Sequence, residues 1–194
     1  MVKKMGDSAV AARRKDQVLS AAAECVRMEG FHRASMAQIS AAAGMSPGHI
    51  HHFFGGKESI IEGVVAREHN ELADLIQEVI DNSSEAGPIA AFVELVPKCA
   101  DRYMDFNHAA LAVEILAEAS RNPKVSKLIQ EHDNAMSQSF NDLFGADASD
   151  IRSRCEIIAA LFEGLSSRAL RNAEARTVIS RDMLQKIVHL VLTS

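Results

Sequence analysis

The 194-residue sequence predicts an all-α protein: an N-terminal three-helix bundle followed by a larger helical body, about nine helices in total. Three observations carry this reading. Apolar residues recur at helical spacing through almost the whole chain. Only 5% of residues are aromatic and none is Trp, while Ala, Leu, Ile, Glu and Met are plentiful, a mix that favours helices over sheets. The four prolines and ten glycines stand mostly between the periodic segments rather than inside them.

Residues 1–11 read as a flexible basic arm. Arg13, Arg14 and Lys15 open a first helix to about Glu29, with Val18, Leu19, Ala22, Cys25 and Val26 on its apolar stripe and Gly30 closing it. Ser35 to Lys57, SMAQISAAAGMSPGHIHHFFGGK, then reads as two short helices around a tight turn. Ser35 and Gln38 have capping-box spacing, and Gly44 ends the first helix in a left-handed turn. Ser46 caps the second, Pro47 stands at its first position, and Gly55-Gly56 stops it. Helix, glycine turn and short helix make a helix-turn-helix, whose second helix enters the major groove of double-stranded DNA.

The body begins at Lys57 with a pattern held to about Ile80, a rod of some 24 residues and roughly 35 Å. A loop over 81–87 ends it, and Pro88 restarts a helix that runs to about Phe106, with a kink expected at Pro97. After a break at Asn107-His108 comes a helix to Ser120. Asn122 and Pro123 start another, which reaches Phe144 before a turn at 145–148. Ile151, Cys155, Ile158, Phe162, Leu165 and Ala169 step by four and three, the seam of helices packed nearly parallel. After a polar loop containing Thr177, Ser180 caps a final helix with Met183, Ile187, Leu190 and Val191 on it. These two helices are read as the interface of a homodimer, four helices across the two-fold axis, with packing inside one chain as the alternative.

Residues 1–67 hold nine Lys/Arg against six Asp/Glu, and the rest twelve against twenty. A basic head on an acidic body suits a DNA reader with a separate sensing or dimer module. Cys25, Cys99 and Cys155 are far apart and form no metal motif, so they read as reduced core thiols. Without a signal-like N-terminus or a membrane-length apolar run, a soluble cytoplasmic protein is expected, with no membrane partner. There is no phosphate loop, nucleophile elbow or HExxH, hence no enzyme, and neither a cofactor nor a metal is expected. Glu114 and Glu118, four apart, read as a solvated helix face.

The stretch MAQISAAAGMSPGHIHHFFGGKESI resembles the DNA-binding signature of the TetR family of bacterial transcriptional regulators. Gly44, Ser46, Gly48, Ile50, Phe54, Lys57, Glu58 and Ile60 match it in order and spacing. His51 and Phe53 depart, standing where the family most often carries Tyr or Tyr and His. The resemblance implies a DNA-binding domain over 12–57 and an effector-binding and dimerisation domain over 58–194. The implied role is a repressor released from a palindromic operator by a small-molecule effector. DNA contacts are expected from Ser35, Ser46, Pro47, Gly48, His49, His51, His52 and Lys57, with Lys57 and His51 on phosphate and His49 near base edges. Candidate effector-lining residues are Phe92, Tyr103, Met104, Glu114, His132, Met136, Phe140 and Phe162. An alternative remains open: a ligand-binding or scaffold protein whose helix-turn-helix only packs. Because imidazoles titrate near neutral pH, DNA affinity at fixed salt is expected to rise as pH falls from about 7.5 to 6; a flat profile would remove that role for the histidines.

Overall fold

The computed structural model describes residues 2–81, 87–144 and 148–194. Most of the loop predicted over 81–87 and most of the turn predicted at 145–148 lie outside them, while Asp81 still belongs to helix. Ten α-helices are present among the described residues, one more than expected, and they fall into two compact units.

The first unit comprises residues 1–68 and 114–128. It holds α1 (Val2–Arg33), α2 (Met36–Ala43), α3 (Pro47–Phe54) and the first half of α4 (Lys57–Asp81). The expected arm over 1–11 is corrected: helix begins at Val2. No proline interrupts this stretch, and adding a residue to an established helix fixes one residue for one hydrogen bond. Val18, Ala22 and Val26 of α1 are buried with Phe31, Ile39, Ile50, Ile60, Val64 and Val65, while Leu19 and Cys25 are half-buried at the stripe's edge. Gly30 leaves the helical region inside α1, at φ 76° and ψ 162°, and turns Phe31 into the core. Gly63 of α4 lets α1 approach closely, since a Cβ there would stand 2.8 Å from Leu19 Cδ2.

The second unit comprises residues 69–113 and 129–194. Its centre is α5 (Pro88–Met104) packed on α8 (Ala148–Arg171) and α10 (Arg181–Thr193), with the one-turn α9 (Ala175–Val178) where a polar loop was expected. Phe92, Leu95, Val96, Cys99 and Met104 of α5 meet Ile158, Phe162, Leu165 and Ala169 of α8 and Leu184, Val188 and Leu192 of α10 in one core. Helix α5 continues through Pro97. Proline has no N–H to give the Val93 carbonyl four residues back; Gln185 Nε2 of α10 donates to that oxygen instead, at 3.1 Å.

Helices α6 (Phe106–Ala119) and α7 (Pro123–Phe144) each run from one unit into the other. The break before α6 falls at Asp105 rather than at Asn107-His108, because the Asp105 carboxylate accepts the amides of Asn107 and His108 at 3.0 and 3.2 Å. Asn122 starts α7 as expected, its side-chain oxygen accepting the Lys124 amide. Among the described residues no helix is long and apolar enough to cross a membrane.

Candidate nucleic-acid interface and body sites

Helix α3 is held at both ends by its own sequence. Ser46 Oγ accepts the His49 amide at 3.3 Å, Pro47 fills the first turn, and Gly55 closes it at φ 73° with its amide donating to the His51 carbonyl. Before it, Gly44 at φ 61° donates to Ala41, and the Met45 amide donates to Ser40 O, so the turn satisfies the α2 carbonyls. Ile50 is wholly buried and Phe53 and Phe54 are half-buried, which fixes the rotation of α3 and leaves Ser46, Pro47, Gly48, His49, His51 and His52 exposed. His49 stacks on Phe53 with ring centroids 5.1 Å apart, and His52 lies tilted against the same ring at 5.6 Å. Phe53 thus serves as a platform for two imidazoles.

Ser35 works as a cap. Its Oγ accepts the Gln38 amide at 3.2 Å and donates to Gln38 Oε1 at 2.7 Å, while its own amide donates to that same oxygen. Lys57 is half-buried at the start of α4, with Nζ donating to the His32 carbonyl at 3.1 Å and two N–H bonds left for an anion. Gln17 Nε2 donates to Ala43 O at 2.8 Å, tying α1 to the end of α2, a contact the sequence reading missed because the partners are 26 residues apart.

The dimer seam read from the sequence is corrected. Ile151, Ile158, Phe162, Leu165 and Ala169 are buried within the chain itself, Cys155 is half-buried, and the seam's partners from Ile158 onward are α5 and α10 of the same unit. Heptad spacing reports a crossing angle and says nothing of which chain supplies the partner. On α10, by contrast, Met183, Ile187 and Leu190 remain 63%, 40% and 65% exposed, Val191 is half-buried, and Ile157 of α8 is 55% exposed. Beside them Val93, Asp182, Gln185, Lys186, His189 and Leu190 line an open groove of about 640 Å³.

Of the candidate effector residues, Phe92, Tyr103, Met104, Met136, Phe140 and Phe162 share one apolar core. Phe92 meets Phe140 edge-on at 5.3 Å, and Tyr103 leans on Phe162 at 5.3 Å. Burial pushes the Tyr103 phenol up to about 12 and the Cys99 and Cys155 thiols to about 11, which disfavours thiolate chemistry at neutral pH. His132 is half-buried and stacked on His69 at 4.8 Å; desolvation, then the neighbouring His69, lowers its pKa and favours the neutral ring. Its Nε2 is buried with no hydrogen-bond partner among the described residues. Glu114 does not join this set. It is part of the first unit, with Oε2 3.1 Å from the point where a Cβ on Gly30 would lie. Glu118 is corrected as well: it is 5% exposed, not a solvated face.

Comparison with known proteins agrees with this geometry. Residues 18–64 match the family described as bacterial regulatory proteins, tetR family. The HTH-type transcriptional regulator UidR of Escherichia coli K12 is 30% identical over 117 residues, 60% of this chain and 57% of UidR, so the chain spans little more than half the length of that relative. The HTH-type transcriptional regulator BetI of Serratia proteamaculans is 27% identical over 165 residues, covering 82% of this chain and 83% of BetI. Among solved structures, GusR of Salmonella enterica superposes with a TM-score of 0.77 at 25% identity, covering 94% of this chain and 96% of GusR. Residues 18–64 thus carry the helix-turn-helix of the bacterial regulatory proteins, tetR family, and the all-helical fold is shared with GusR over 94% of this chain.

Proposed function

We propose that the chain is a sequence-specific DNA-binding transcriptional regulator, a homodimeric repressor that a small-molecule effector releases from a two-fold operator. The carrying observation is helix α3: capped at both ends and anchored by Ile50, it turns Pro47, Gly48, His49, His51 and His52 outward together. Gly48 has nothing within 4 Å of a built Cβ, so the backbone there is open to close approach by DNA. His49 near the helix start reads base edges, His51 and Lys57 hold phosphate, and half-sites lie about 34–36 Å apart, one helical turn. The aromatic core around Phe92, Phe140 and Phe162 is the region where an apolar effector would be accommodated, by biasing two states of the body.

Selection from random duplex DNA with the pure protein tests the reading, followed by a ligand panel scored on release. No enriched sequence would remove it. Within a selected operator, Lys57→Ala is expected to weaken binding to all sequences alike and to lower the salt slope by about one. His49→Ala is expected to change the preferred half-site by about 1–3 kcal/mol of discrimination, measured as relative enrichment in a repeated selection. An altered preference in Lys57→Ala with an untouched salt slope would reverse these roles.

A further inference from the structure

Glu118 is one of the few buried polar or charged side chains among the described residues, and DNA contact does not explain it. It sits near the end of α6, and both its oxygens are in use. Oε1 accepts Asn122 Nδ2 at 2.9 Å, Oε2 accepts Arg121 Nε at 3.2 Å, and His32 Nε2 stands 3.8 Å from Oε2. A buried carboxylate persists only where such partners compensate its lost hydration. The imidazole that faces it is largely exposed, and the carbonyl of that same His32 accepts from Lys57 Nζ. Two further contacts from the same segment bracket this junction: Glu114 lies against Gly30, and Lys124 Nζ reaches Glu58 Oε2 at 3.1 Å, beside Lys57 in sequence. Residues 114–128 thus touch the chain just before and just after the helix-turn-helix, all within the first unit.

We infer that the α6–α7 turn, through Glu118, is a positioning element for DNA binding: it fixes the end of α1 so that the His32 carbonyl aims the Lys57 ammonium at phosphate. This rests on the DNA-binding reading above and adds to it a residue outside the helix-turn-helix. Glu118→Gln conserves volume but turns an amide NH2 towards Arg121 or Asn122, both donors, and removes the charge facing His32.

The test is a double-variant cycle with Lys57→Ala, measuring operator and random-DNA affinity against salt, with melting curves to select conditions where each protein is folded. Glu118→Gln is expected to lower affinity for both DNAs about tenfold and the salt slope by about one, and to cost little more when added to Lys57→Ala. A lower melting point with the wild-type slope, or effects that multiply, would overturn the inference. A second readout needs no DNA: the His32 carbonyl 13C shift should move in Glu118→Gln as it does in Lys57→Ala. If the wild-type protein bound no DNA, the regulator reading would fall, and this shift alone would decide whether Glu118 positions Lys57; a shift moving only in Lys57→Ala would overturn it.

Discussion

Leu190→Asp is expected to leave the chain folded, to abolish dimerisation and, with it, to reduce operator affinity by more than about a hundredfold. Leu190 is 65% exposed on α10, in line with Met183 and Ile187 and opposite the buried Leu184, Val188 and Leu192. Burying an exposed leucine is worth about 1.5–3 kcal/mol, and a two-fold interface uses each position twice, so one change removes about 3–6 kcal/mol before the cost of two facing carboxylates. The monomer would retain only one half-site's contacts, and its binding would approach the nonspecific level. Sedimentation at micromolar concentration reads the first effect and titration against the selected operator the second. The companion change Leu165→Asp separates this face from the seam that sequence spacing suggested: Leu165 is 5% exposed inside the second unit's core, so that variant should fail to fold rather than dissociate. A wild-type protein monomeric at such concentrations, or a Leu190→Asp variant still dimeric, would remove α10 as the interface.

The contrast between those two leucines shows what was legible in the sequence. Local signals transferred almost residue for residue. Ser35 with Gln38, Gly44, Ser46 with Pro47, Gly55, Asn122 and Ser180 act within one helical turn, so the bounds of α2, α3, α7 and α10 follow from nearest neighbours. The exposed face of α3 was legible for the same reason, since Ile50 with Phe53 and Phe54 beside it sets its rotation. Long-range pairing was not. The 4-3 spacing of α8 stated that a helix packs along it, and only the fold supplies α5 and α10 as the partners. Glu118 beside Glu114 has the spacing of any solvated pair, and only the fold shows it buried, with His32, 86 residues earlier, 3.8 Å from its carboxylate. Pro97 announced a lost helical bond in sequence, but only the fold brings the Gln185 amide to the carbonyl that proline leaves open.

Gly30→Ala is expected to destabilise the first unit, and the sign of the change is diagnostic. In a regular helix interior the same substitution stabilises by about 1 kcal/mol, because alanine has the better helix propensity. Here Gly30 holds φ 76° and ψ 162°, a region essentially restricted to glycine, where a side chain costs about 1–3 kcal/mol. The new methyl would also stand 3.1 Å from Glu114 Oε2, and that carboxylate must move. Phe31, 1% exposed in the core, keeps the backbone from relaxing into helix. A fall of several degrees in melting temperature is expected by circular dichroism. Glu114→Ala in the same chain should recover the part due to crowding and none of the part due to backbone conformation. Melting that rises in Gly30→Ala would mean that α1 runs straight past residue 30, and the turn that presents the His32 carbonyl to Lys57 would lose its basis.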